Sequence, residues 1–163
     1  SATIKIAGTP TEAKSEAMAI EIPADQLTGN AKITVTTNAD AKFSITDPAA
    51  ASATVANVDV TGTKDSPISE AEVTITLSGD TFKQELAADT DVASWFTNLP
   101  TGLTAQIKTQ VNASDASATI KIAGTPTEAK SEAMQIEIPA DQLTGNSAIT
   151  VTTNADAKFS IAG

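Results

Sequence analysis

Residues 1–45 return almost unchanged at residues 117–161, an offset of 116, with Ala19, Ala31 and Lys32 replaced by Gln135, Ser147 and Ala148. Identity at 42 of 45 positions marks units copied whole and in register, so the 163 residues read as about one and two-fifths periods of a tandem array. On that reading the opening segment is the tail of a unit whose head is missing. Residues 53–116 occur once and the tail that completes them occurs twice, so two equal segments compete for one partner. Strand exchange between molecules does not escape this ratio.

The local pattern within the repeat is alternation. In Glu72-Val73-Thr74-Ile75-Thr76-Leu77 the apolar residues share one face and the threonines hold the other, the period of a half-buried strand. The same reading covers residues 105–111, 119–122, 134–138, 149–152 and 158–161, with shorter signals at 54–61 (Val58, Val60) and 81–87 (Phe82, Leu86). Turn residues separate them at Ser78-Gly79-Asp80, Leu99-Pro100-Thr101-Gly102, Ala123-Gly124-Thr125-Pro126 and Thr144-Gly145-Asn146. About eight short strands per period predict an all-β antiparallel sandwich. Two stretches break the alternation: Asp89–Phe96 predicts one short helical turn capped by Thr90 or Asp91, and Pro139–Leu143 predicts another.

The order strand, proline-led turn with an inward leucine, strand, short strand resembles the closing strands of bacterial immunoglobulin-like surface repeats. The stretches Trp95–Leu103 and Ile136–Asp141 carry the likeness, which covers residues 53–161 in full and 1–45 in part. It implies an immunoglobulin-like β-sandwich at 53–163, a linker at 47–52, and at 1–46 the last four strands of a preceding unit. The paired cysteines and corner tyrosine of antibody domains are absent, so the resemblance is one of architecture. It also implies an extracellular place on a bacterial cell surface or wall, with neighbouring repeats as partners. The abundance of Thr, Ala, Ser and Asp with 3% aromatics suits such stalks. The opening copy either pairs through a sheet edge with another chain or forms a small module of its own.

Composition removes whole classes of chemistry. With no cysteine, histidine or arginine the chain lacks thiol and imidazole catalysis, soft metal ligation and the guanidinium fork. A net charge of −10 opposes nucleic-acid and anionic membrane surfaces. No stretch nears the roughly 18 apolar residues of a membrane span, and no basic-then-apolar leader opens the sequence. Serine and threonine find no base, and the carboxylate pairs Asp89/Asp91 and Glu70/Glu72 read as solvated charges, so an enzyme is not expected.

Three binding candidates remain. Calcium needs clustered hard oxygens; Asp89 with Asp91 and the repeated Asn154 with Asp156 supply them, although Asn-Ala-Asp equally forms a hairpin turn. Trp95, beside Phe96, is the one residue that could stack on a sugar; otherwise the pair plugs an end of the sandwich. A Lys–Asn intramolecular bond would need a lysine pointing inward, whereas Lys5, Lys108, Lys121 and Lys158 all alternate with inward apolar residues. Asn112-Ala113-Ser114 matches the glycosylation sequon, as a chain rich in Ser and Thr does by chance. The function expected is therefore that of a non-enzymatic spacer repeat, the alternative being a glycan- or protein-binding adhesin module.

Overall fold

The computed structural model describes residues 2–37, 39–46, 50–153 and 155–163, and the chain divides into two units, Ser1–Ala49 and Ala50–Gly163. The fold is all-β, with three short 3-10 turns as its helical content among the described residues.

The opening unit holds β1 (Lys14–Ala17), β2 (Ile20–Ile22), β3 (Ile33–Val35) and β4 (Lys42–Ile45). β1 pairs antiparallel with β4, setting Lys14 opposite Ile45, and β2 pairs with β3, setting Ile22 opposite Ile33. A 3-10 turn at Ala24–Gln26 follows Pro23, whose fixed φ suits the start of a turn. Two two-stranded ladders give little cover. None of the described residues of this unit is buried; Met18, Ile20, Leu27, Val35, Phe43 and Ile45 are half-buried at best.

The second unit contains β5 (Ser52–Val55), β6 (Val58–Thr63), β7 (Ala71–Ser78), β8 (Leu103–Ile107), β9 (Ser117–Gly124), β10 (Lys130–Ala133), β11 (Glu137–Ile138), β12 (Ile149–Thr152) and β13 (Ala157–Ala162). They form a six-stranded sheet in the order β11-β12-β5-β7-β9-β8 and a three-stranded sheet in the order β10-β13-β6. Val60 and Phe159 of the smaller sheet share one apolar core with Ile75, Ile107 and Ile120 of the larger, so the architecture is sandwich-like. The core holds no polar or charged residue among those described. Alternation does this directly: in β7 it buries Val73, Ile75 and Leu77 and turns the threonines outward or to the sheet face.

Several expectations need correction. The sandwich is mixed rather than antiparallel, because β5 pairs parallel with β12 and β6 parallel with β13. Residues 54–61 are two strands that step from one sheet to the other at Ala56-Asn57. Residues 81–87 form no strand; Phe82 and Leu86 make isolated bridges to Leu143 and Val111. The strand expected at 134–138 is only Glu137–Ile138, while Lys130–Ala133, with no apolar alternation, pairs as β10. Ser52 belongs to β5 rather than to a linker, and residues 47–49 lie outside the described residues.

The two copies share their internal wiring. β10 meets β13 in the register of β1 and β4, with Lys130 opposite Ile161. The Met134 amide donates to the Ala157 carbonyl at 2.8 Å as Met18 does to Ala41. Thr153 Oγ1 donates to the Met134 carbonyl as Thr37 does to Met18. The copies part at their first eight residues. Ser117–Gly124 is β9, hydrogen-bonded on one side to β7 and on the other to β8, whereas no strand forms over residues 3–8. The strand expected in the opening copy is missing because its two ladder partners belong to the head.

Burial follows pairing. Ile4, Ile6 and Ile33 are 68%, 66% and 49% exposed, and their counterparts Ile120, Ile122 and Ile149 are 0%, 0% and 6% exposed. One substitution in two places should therefore give two results. Ile120→Ala is expected to lower stability by about 2–5 kcal/mol, and Ile4→Ala to leave the same transition within about 0.5 kcal/mol. Denaturant unfolding followed by Trp95 fluorescence measures both; equal losses would contradict this account.

Candidate interaction surface: the seam between head and tail

Within the second unit the head, residues 50–116, meets the tail, residues 117–163, along a seam made of strand ladders and a set of polar clamps. The ladders are β9 between β7 and β8, β12 beside β5, and β13 beside β6, the last aligned over six residue pairs from Ala157 with Val58 to Ala162 with Thr63. Because β5 and β6 run parallel to β12 and β13, the chain comes in at one end of the unit and leaves at the other.

The clamps sit where regular pairing stops. The Asn98 side chain donates to the Ala133 carbonyl at 2.8 Å and accepts from the Gln135 amide at 2.9 Å, so one side-chain amide stands in for a peptide group of a neighbouring strand. Thr97 extends this contact: its amide donates to the Gln135 carbonyl at 3.0 Å, and its hydroxyl donates to Gln135 Oε1 at 3.1 Å. Asp80 Oδ1 accepts from its neighbour, the Thr81 amide, at 2.8 Å and, across the seam, from the Gly145 amide at 3.0 Å. Glu128 Oε1 accepts from the Thr101 amide at 3.0 Å and from its hydroxyl at 3.2 Å. The Thr101 amide bond, aided by the hydroxyl and by the charge of Lys130, holds the Glu128 carboxyl below the usual glutamate range despite partial desolvation.

Gly102 and Gly124 let the two backbones touch. Both have positive φ, 90° and 127°, and a Cβ on Gly102 would lie 2.1 Å from the Thr125 carbonyl oxygen. No side chain fits there. In the opening copy the equivalent Gly8 has nothing within 4 Å of its Cβ position.

The residues singled out by sequence fall as follows. Trp95 is buried and stacks on Phe82 with ring centroids 6.2 Å apart and planes at 10°, and Phe96 is buried beside it. Both rings fill the core, so neither offers a face to a sugar. Asp89, at φ 66°, pairs with Lys121, and Asp91 Oδ1 accepts from the Ala93 amide at 2.9 Å at the start of the Ala93–Trp95 turn. Thr90 makes no side-chain cap there. Asp156 accepts from the Val58 amide through its carbonyl at 3.0 Å, and Asn154 lies outside the described residues. No group of three or more acidic side chains converges among the described residues. Glu70 and Glu72 bracket the Lys108 ammonium across the outer face of the larger sheet; the bond to Glu72, then that to Glu70, holds Lys108 above its usual range. Lys158 lies near Asp59, 3.7 Å away, on the surface, and the Asn112 amide and side chain close a turn onto Asp115.

Sequence reasoning missed the clamps. Asn98, Asp80 and Glu128 each look like loop or surface residues in the sequence, and nothing local marks the backbone groups they meet up to 65 positions away. No helix among the described residues is long and apolar enough to cross a membrane. Comparison with family models, with curated proteins and with solved structures finds no match to this chain.

Glu128 provides a pH signature. A carboxyl depressed in the folded state adds stability above its unfolded pKa of about 4.3, and that stability is lost as the pH falls through the lower folded value. Glu128→Gln should therefore lower the unfolding midpoint at pH 7, and the gap to the parent chain should close below about pH 4. Unfolding midpoints of both chains from pH 7 to pH 3 test this; a gap that does not change with pH would contradict it.

Proposed function

We propose that the chain is a stretch of a bacterial cell-surface protein in which immunoglobulin-like sandwich units are repeated in tandem and serve as non-enzymatic extracellular spacers. The observation that carries this reading is the parallel pairing of the first strands of a unit with its last. Chain ends at opposite poles let each unit add up to about 36 Å to a chain of units, the length of the eleven steps from Ser52 to Thr63 at about 3.3 Å each. An antiparallel pairing of the same strands would bring both ends to one pole and fold the array back on itself.

Three further features support it. The 42 identities in 45 fit a protein whose length is changed by gaining or losing units. The net charge of −10 keeps neighbouring stalks apart. Stability without cysteine comes from a continuous apolar core that needs no oxidant. The burial of Trp95 takes from the ligand-binding alternative the aromatic face it would set against a sugar.

Concatenation tests the proposal. Chains carrying two and four full periods of 116 residues should differ in maximum dimension by about 70 Å in small-angle X-ray scattering, two periods at about 36 Å each. A maximum dimension that grows only as the cube root of mass would mean that the units collapse on one another, and the spacer reading would fail.

A further inference from the structure

A sheet ends in strands whose outer backbone groups have no ladder partner, and each such edge is a template for another strand. The two sheets of the second unit end in β11, β8, β10 and β6, and three of these edges are covered or cut short. Residues 89–92 line β8: the Val92 amide donates to the Ala105 carbonyl and the Ile107 amide to that of Thr90, both at 2.9 Å. β11 is two residues long and runs into Pro139. Residues 98–101 strap the edge of β10. Asn98 holds the Ala133 carbonyl and the Gln135 amide at one end, and the Thr101 carbonyl accepts from the Thr127 amide at 2.8 Å at the other.

β6, the longest of the four, has no such cover. Its inner side is used in full, from the Val58 amide on the Asp156 carbonyl at 3.0 Å to the Lys64 amide on that of Ala162 at 2.8 Å. A residue of a parallel ladder turns both its amide and its carbonyl to one side, and the next residue turns them to the other. Val58, Val60 and Gly62 therefore serve β13, and Asp59 and Thr61 present their backbone groups outward. Among the described residues no backbone group bonds to them there, whereas the Thr63 carbonyl accepts from the Ser66 amide at 3.2 Å.

We propose that this edge is a docking site for a second copy of the chain, which adds its own β6 antiparallel so that the two three-stranded sheets continue as one. The strand is complementary to itself. With a two-fold axis at Val60, Asp59 of each copy exchanges both backbone bonds with Thr61 of the other, which uses the groups left open. The one charge on the strand, Asp59, then lies opposite a hydroxyl rather than its own copy, with Lys158 3.7 Å away on its other side. Val58, half-buried, comes opposite Gly62, over whose missing side chain Ile68 packs, so the apolar rim of the edge closes as well. An unrelated extended peptide would gain the backbone bonds and none of these pairs. The net charge of −10 opposes the approach at low ionic strength, but beyond about 8 Å it is screened at physiological salt. This stands whether or not the unit serves as a spacer.

Sedimentation velocity of the full chain tests it. In physiological salt the weight-average mass should climb with concentration from 16.5 kDa toward twice that value, and it should fall back when the salt is removed. Thr61→Asp sets like charges opposite one another and should weaken association about tenfold, and Thr61→Lys, opposite Asp59, should strengthen it severalfold. Thr76→Asp makes the same charge change on the outer face of β7 and should leave association as in the parent chain. Thr61→Pro removes an outward donor while sparing the ladder to β13 and should abolish pairing. Unfolding midpoints followed by Trp95 fluorescence show that each variant is folded, and the two charge variants decide the matter should the proline one not fold. A chain that stays at 16.5 kDa up to millimolar concentration would overturn the proposal. So would a dimer on which Thr61→Asp and Thr61→Lys act alike, or one that Thr76→Asp weakens as much as Thr61→Asp.

Discussion

The hydrogen bonds that β7 and β8 make to the two edges of β9 are the constraint on which the rest depends. A strand has no internal partner for its backbone, so a sequence becomes a strand only when another chain segment lies at about 4.8 Å on one side of it. Ser-Ala-Thr-Ile-Lys-Ile-Ala-Gly occurs twice in this chain; flanked, it is a central strand with Ile120 and Ile122 sealed in the core, and unflanked it leaves Ile4 and Ile6 in water. Residue propensity is held constant by the duplication. What differs is company, and the difference in burial follows from it.

The seam shows how a unit can be both cohesive and divisible. Ladders supply most of its length, and clamps such as Asn98 and Asp80 satisfy backbone groups where the ladders end. The tail keeps its own internal order in both copies: β1 with β4 and β2 with β3 in the opening unit have the register that β10 with β13 and β11 with β12 show in the second. Ile136 marks the boundary between the two regimes. Its counterpart Ile20 lies in a ladder opposite Val35, whereas Ile136 bridges to Phe96 of the head while still accepting from the Val151 amide at 2.9 Å.

The all-β class, the positions of β7, β9, β12 and β13, and both proline- or aspartate-led turns were legible in the sequence because alternation and turn chemistry are local properties. β10 was not, because Lys130-Ser131-Glu132-Ala133 is an edge strand with mostly exposed residues and carries no apolar face to give a period. Residues 81–87 misled in the opposite sense: Phe82 and Leu86 are spaced as in a strand, yet each reaches the core from an irregular segment through a single bridge. The parallel pairing of β6 with β13 was invisible, since the period of a strand says which face is buried and nothing about the direction of a partner about 100 residues away. The seam was legible only as a question of arithmetic, one head for two tails; its chemistry needed the fold. Trp95 could be read either way until its stacking on Phe82 placed it in the core.

The parallel pairing also fixes how a unit carries load. A pull on the two ends of the unit draws β5 and then β6 backward and β13 forward, so the parallel neighbours β6 and β13 are drawn past each other and their ladder is strained in shear. The six residue pairs from Val58 with Ala157 to Thr63 with Ala162 then share the force and must give way together. Had the same strands been antiparallel, the load would have fallen on one pair at a time, and the ladder would have opened like a zip at far lower force. The direction of a single strand thus decides how the six hydrogen-bonded pairs of this ladder meet a pull on the ends of the unit.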